Sequence, residues 1–122
     1  MAIPPLEHQI RFVDSIVLAK AEKDPQGKFK YIVEEVIKSR HDTLQAGDLL
    51  KVDLSIFELL GYAIHDGQRA IVFLAEKSNG FDCIDFLPVV NDQVEYGVND
   101  STVLKKLTLS EFLVLCGDII KR

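Results

Sequence analysis

The stretch YIVEEVIKSRHDTLQAGDLLKVDL, residues 31–54, decides the fold, because its first part is compatible with either a helix or a strand. If the run were a helix, one face would carry the apolar residues Ile32, Val33, Val36 and Ile37. If the run were a strand, one side would carry Phe29, Tyr31, Val33 and Ile37. Its β-branched and aromatic content, and the turn KDPQGK before it, favour the strand. On a strand Glu34 and Glu35 point to opposite faces, so we expect no acid/base pair between them.

Short apolar runs separated by turn residues continue this pattern along the chain. A helix is predicted in LEHQIRFVD, after Pro4 and Pro5, which suit a first helical turn. Further strands are predicted in SIVLAKAE, LLKVDLSIF, RAIVFLAEK, FDCIDFLPVV and the centre of NDQVEYGVND. RAIVFLAEK is almost continuously apolar, which is typical of a central strand buried on both faces.

Two features of the C-terminal third are more specific. In FDCIDFLPVV, alternation places Cys83 and Asp85 on one side and Ile84 and Phe86 on the other. Thr108 is followed three residues later by Glu111, the spacing of a capping box, and predicts the start of the C-terminal helix. An apolar stripe follows, formed by Leu109, Phe112, Leu113, Cys116, Ile119 and Ile120.

Length and composition exclude several classes of protein. The chain has 122 residues, of which 48% are hydrophobic and 27% charged, as in an ordinary globular domain, and we expect a single domain spanning residues 1–122. The net charge is −5 and the basic residues are scattered, which argues against a nucleic-acid partner. No apolar run is long enough for a membrane-spanning helix, so we expect no membrane insertion.

Residues typical of catalysis or metal binding do not form a recognisable pattern. Cys83 and Cys116 could form a disulfide, but both lie in apolar runs, so we favour two buried free thiols. The histidines, His8, His41 and His65, are far apart and have no cysteine nearby. There is neither a G-x-S-x-G motif nor a glycine-rich phosphate loop. We therefore assign no catalytic residue, metal site or cofactor.

One loop could gather polar side chains into a binding edge. In GYAIHDGQR the side chains of Tyr62, His65, Asp66 and Arg69 could meet beside the turn pair Asp66–Gly67. A solvated turn is the competing interpretation. We carry these four residues forward as the candidate ligand-binding site.

The order of segments resembles a group of small extracytoplasmic bacterial domains with an OB-like barrel, similar in architecture to tissue inhibitors of metalloproteinases. The resemblance rests on PPLEHQIRFVDSIVLAKAE, on YIVEEVIKS followed by LQAGDLLKV, on GQRAIVFLAEKSNGFD and on LTLSEFLVLC. SRHDT departs from the tighter turn expected there. The resemblance implies a periplasmic or secreted binding or inhibitory module without a cofactor. Residues 1–10 lack the basic and apolar regions of a signal peptide, so a leader would have been removed, and a cytoplasmic location stays open.

The sequence therefore predicts an α+β, mainly antiparallel β domain with a short N-terminal helix and a C-terminal helix. Its sheet forms either a small, partly open OB-like barrel or a curved sheet of about six strands. The predicted function is non-enzymatic binding of another protein or a small ligand. An immunity or inhibitor protein, whose acidic surface opposes a basic toxin or enzyme, is the alternative. A small hydrolase using carboxylates or the His65 loop is a further one.

Overall fold

The structure, a computed structural model, describes residues 6–40, 44–50, 52, 65–78, 80–97 and 104–121. Its helices are α1 (Leu6–Phe12) and α2 (Leu109–Lys121). The strands are β1 (Ser15–Lys23), β2 (Phe29–Ser39), β3 (Leu49–Leu50), β4 (Arg69–Lys77), β5 (Gly80–Val90), β6 (Gln93–Gly97) and β7 (Leu104–Thr108). The predicted α+β class, mainly antiparallel and with a helix near each end, is confirmed.

All the described strands belong to one seven-stranded antiparallel sheet in the order β3-β2-β1-β4-β5-β6-β7. Over these described strands the sheet is open and not closed into a barrel, so the curved-sheet alternative describes it. Helix α2 packs against β2 on one side and against β6 and β7 on the other. The sheet therefore curves round this helix, and the relation to an OB-like barrel stays a prediction.

The opening stretch is a strand, as predicted, because its partners are strands on both sides. β2 pairs with β1 along its length and with β3 at Tyr31 and Ile32. The turn before it is held by Asp24, whose Oδ1 accepts hydrogen bonds from the backbone N–H of Gln26 (2.9 Å) and Lys28 (2.8 Å). Gly27 supplies the positive φ of 85° that the same turn requires.

Apolar side chains cover both faces of the two central strands, β1 and β4. On the helix-bearing face, α1 and α2 pack against Ile16, Leu18, Ile71, Phe73 and Val94. The second face carries a separate apolar cluster that includes Val17, Ala19, Val72, Leu74 and Phe86. β4 is the fourth of the seven strands and five successive residues of it are buried, which confirms the predicted central strand.

The C-terminal helix begins where the sequence predicted. The backbone N–H of Thr108 donates to Glu111 Oε1 (3.1 Å), and the N–H of Glu111 donates to Thr108 Oγ1 (3.2 Å), which is the reciprocal geometry of a capping box. The buried residues of α2 belong to the predicted stripe: Leu109, Phe112, Cys116 and Ile119. Both cysteines have free thiols, as predicted. Cys116 lies in the apolar cluster of the helix-bearing face, which we call the helix-side cluster, whereas Cys83 packs against the cluster of the second face.

Helix α1 crosses the helix-bearing face along one row of paired residues. In this row Lys38, Ile16, Phe73 and Asp85 lie side by side on four adjacent strands. At one end Lys38 Nζ donates to the carbonyls of Ile10 (3.0 Å) and Arg11 (2.8 Å), at the negative end of the helix. At the other end the Asp85 carboxylate is hydrogen-bonded to the side chain of Gln9. Hydrogen bonds from Lys38 and to Asp85 therefore hold α1 on the two sides of its apolar contact with Ile16 and Phe73.

Candidate functional site

The His65 loop is a tight turn that is bonded to the end of β1. The backbone N–H of Gln68 donates to the carbonyl of His65 (3.0 Å), and that of Gly67 donates to the carbonyl of Ala21 (2.7 Å). Asp66 Oδ1 accepts a hydrogen bond from the N–H of Lys23 (2.9 Å). The Asp66 carboxylate thus fixes the turn to β1, and this gives it a structural role that the predicted binding site did not include.

Of the other residues proposed for this site, Arg69 begins β4 and Tyr62 lies outside the described residues. The Nε atom of Arg69 donates to Glu34 Oε1 at 3.1 Å, across the intervening strand β1. His65 is exposed, and its backbone N–H donates to Gln68 Oε1 (3.1 Å). Asp66 and Arg69 therefore have different partners, and the partner of Arg69 is Glu34, which the predicted site did not include.

A β-bulge in β2 changes the orientation expected for the paired glutamates. Val33 is opposite Ala19 and Glu35 is opposite Leu18, so Glu34 is an extra residue in β2. Leu18 belongs to the helix-bearing face, and the Glu34 carboxylate reaches Arg69 on that same face. The expectation that the two glutamates point to opposite faces is wrong, because alternation is lost where one strand carries an extra residue.

The bulge completes a group of charged residues that we call the charged strip. It lies on the helix-bearing face, at the end of the sheet away from α1, and contains Lys20, Glu22, Lys30, Glu34, Glu35 and Arg69. Lys20 is opposite Arg69 on β4, and Glu22 is opposite Lys30 on β2. The strip thus combines three positive with three negative side chains on neighbouring strands, at positions fixed by the sheet register.

Side chains that could act as nucleophiles lie in an unsuitable environment. Burial, with a smaller contribution from the Asp85 charge, raises the pKa of Cys83 to about 12, and burial raises that of Cys116 to about 12. Thiols with such high pKa values are poor nucleophiles near neutral pH. Ser15 and Ser39 are opposite each other, and their hydroxyl oxygens are buried without a hydrogen-bond partner in the described part of the chain. Neither hydroxyl is therefore hydrogen-bonded to an activating base among the described residues.

Among the described carboxylates, Asp85 is one whose pKa is raised, and sequence alternation gave no sign of this. Burial is the main cause that raises its pKa, and hydrogen bonds from the Phe86 N–H and the Gln9 side chain partly oppose the rise. The Phe86 N–H lies 2.8 Å from Asp85 Oδ1. Cys83 Sγ lies 3.2 Å from the Asp85 carbonyl oxygen, to which it donates.

Comparisons with known proteins do not assign the chain to a family. Protein-family models, curated proteins and solved structures gave no match. Within the described ranges, no three His, Cys, Asp or Glu side chains are grouped as metal ligands. Neither of the described helices combines the length and apolarity of a membrane span.

Proposed function

We propose that the chain is a non-enzymatic binding module for another protein and that this partner contacts the charged strip. The observation that carries the proposal is the arrangement of both charge signs on three neighbouring strands of an exposed sheet surface. Complementary charges in fixed positions orient a protein partner and discriminate against partners with a different pattern. A small ligand would instead call for a concave, mostly apolar pocket.

The fold itself gains little from this charge pattern. The side chains of Arg69 and Glu34 are 38% and 32% exposed, and half-exposed ion pairs contribute only about 0–1 kcal/mol to stability. Because altering the strip has little effect on stability, substitutions in it can change binding while the fold is retained. This separation makes the proposal testable on the intact chain.

The test exchanges the two charges of the strip's ion pair. The double variant Glu34→Arg/Arg69→Glu retains the net charge and the possibility of an ion pair, but it inverts the local pattern. The matched control exchanges Lys77 and Asp82, an exposed pair at 2.9 Å in the β4–β5 hairpin. Each protein would be immobilised and used to capture partners from an extract of the source cells.

We expect one stoichiometric partner to be captured by the unmodified chain and by the Lys77/Asp82 exchange. The Glu34/Arg69 exchange should weaken its binding at least about tenfold, which corresponds to about 1.4 kcal/mol. Equal capture by all three proteins would contradict the assignment to the strip. Capture of no partner under any condition, together with turnover of a small-molecule panel, would contradict the binding function itself.

An inhibitor or immunity protein is the form of this function that the net charge of −5 favours. The partner would then be a basic enzyme or toxin, attracted over long range and inhibited in a one-to-one complex. We also propose that the protein is exported, because its sequence resembles extracytoplasmic bacterial domains. Fractionation of source cells, with an antibody to this chain, tests the extracytoplasmic location separately from partner binding.

A further inference from the structure

The outer edge of β5 is open over most of its length in the described part of the chain. β5 pairs with β4 from Gly80 to Val89, but its pairing with β6 is limited to Val89 and Val90. No described strand is therefore paired with the outer edge from residue 80 to residue 87. An open strand edge presents backbone groups to which another chain can add a strand.

Three features of β5 oppose such an addition. Cys83 is opposite Leu74 and Asp85 is opposite Phe73, so Ile84 is an extra residue that forms a bulge in the edge. The Asp85 carboxylate accepts the Phe86 N–H at 2.8 Å, so this donor is occupied by a side chain. Pro88 has no N–H to offer.

The Asp85 carboxylate is hydrogen-bonded but partly buried. Burial disfavours its charged form, and its described hydrogen-bond partners are the Phe86 N–H and the Gln9 side chain. Exposed apolar surface lies next to it, because Ile84 is 55% exposed on the open edge. A carboxylate kept beside an open strand edge, where burial disfavours its charge, fits a device that prevents a wrong association.

We propose that Asp85 guards the outer edge of β5 against pairing with the same edge of a second copy of this chain. The second copy is the expected occupant because the two exposed edges, each with Ile84 beside the bulge, could pair antiparallel about a twofold axis. By holding the Phe86 N–H, the carboxylate removes one of the donors that such pairing would use. This inference concerns self-association and is independent of the partner proposed for the charged strip.

The test compares substitutions at Asp85 by sedimentation velocity over a range of protein concentrations. Asp85→Ala removes the acceptor, whereas Asp85→Asn keeps an amide oxygen for the Phe86 N–H. Asp82→Ala, at an exposed position on the same strand, controls for the loss of one negative charge. We expect Asp85→Ala to tighten the dimer dissociation constant at least about tenfold and the other variants to sediment like the unmodified monomer.

The variant Ile84→Lys/Asp85→Ala shows whether any association uses this edge, because a lysine on the bulge should restore the monomer. Association that persists in this double variant would overturn the proposal. It would also be overturned by a folded Asp85→Ala protein that stays monomeric, or by an unmodified chain already paired through this edge.

Amide hydrogen exchange supplies a readout that does not depend on the folding of Asp85→Ala. In the unmodified chain the Phe86 amide should exchange at least about tenfold more slowly than an unprotected amide, and Asp85→Asn should retain this protection. An unprotected Phe86 amide in the folded protein would show that the carboxylate does not hold it, and the proposal would fail.

Discussion

Truncation of Phe112 should loosen α2 from the sheet more than any other single change in this helix. The side chain is fully buried, and its ring meets that of Tyr96 edge-on, with the centroids 6.0 Å apart. It shares the helix-side cluster with Ile10 and Phe73, so the space it occupies is bounded by α1, α2 and the sheet. Phe112→Ala would leave a cavity between the two helices and the sheet.

The expected loss is large compared with the stability of the domain. Truncation of a buried phenylalanine to alanine costs about 3–5 kcal/mol, including the lost edge-on ring contact. A domain of 122 residues has a free energy of unfolding of about 6–18 kcal/mol. Phe112→Ala should therefore remain folded with a reduced margin. Phe112→Leu, which preserves most of the volume, should cost roughly 1–1.5 kcal/mol.

Cys116 provides the assay, because it lies one turn further along the same buried face of α2. Its thiol is fully buried and has a pKa raised by burial to about 12, so it should react with a disulfide reagent only when the helix opens. In a Cys83→Ala background, Phe112→Ala should accelerate labelling by roughly 150- to 5,000-fold, as the lost free energy implies. Phe112→Leu should accelerate it about tenfold.

Val114→Ala is the matched control, since Val114 lies on the same helix with 64% of its surface exposed. This substitution should change the free energy of unfolding by no more than about 0.5 kcal/mol and leave the labelling rate within about threefold. If Phe112→Ala labelled no faster than Val114→Ala, the helix-side cluster would not hold α2 in place, and the role assigned to the Phe112 ring would be refuted.

Three further predictions concern the polar groups. Asp66→Ala should cost about 1 kcal/mol in urea unfolding through the lost bond to the Lys23 N–H, whereas Asp66→Asn should cost less than half of that. A double-mutant cycle of Glu34→Gln and Arg69→Met should give a coupling free energy of unfolding below about 1 kcal/mol. A coupling above about 2 kcal/mol would show that the ion pair stabilises the fold. The pKa of Asp85 is raised in the folded state, so between the ordinary and the raised pKa the folded state binds more protons than the unfolded state. The free energy of unfolding should therefore rise as the pH falls through that window. In urea unfolding, Asp85→Asn should stabilise the protein at neutral pH and flatten this part of the pH profile.

Sequence patterns predicted those elements whose signal is local. The capping box at Thr108 and Glu111 positioned the start of α2, and the apolar run of β4 indicated a central strand. β7 was missed, because Lys105 and Lys106 interrupt the apolar pattern and its pairing with β6 involves a separate segment of the chain. Two-residue β3 was predicted within a longer run, LLKVDLSIF, of which only part is described.

The candidate site was predictable only in part, because its geometry depends on contacts that are distant in sequence. The turn chemistry of Asp66 and Gly67 was evident from the sequence, but nothing in the sequence indicates that the Asp66 carboxylate bonds the Lys23 N–H. The ion pair between Glu34 and Arg69 bridges 35 positions and depends on the sheet order. Sequence reasoning thus located charged residues, whereas their partners are set by the tertiary register.

The bulge in β5 makes the predicted alternation of this strand wrong, because Cys83 and Asp85 lie on opposite faces and not on the same one. Cys83 and Phe86 both pack on the second face although three positions separate them, which regular alternation forbids. A single extra residue, Ile84, resolves the conflict: it lets Phe86 enter the apolar cluster and turns the Asp85 carboxylate towards Gln9 and α1. Without the bulge, the same register would direct Asp85 into the apolar second face, where a charge has no partner. In this chain the bulge at Ile84 is what makes an acidic residue beside the open edge of β5 compatible with two apolar faces.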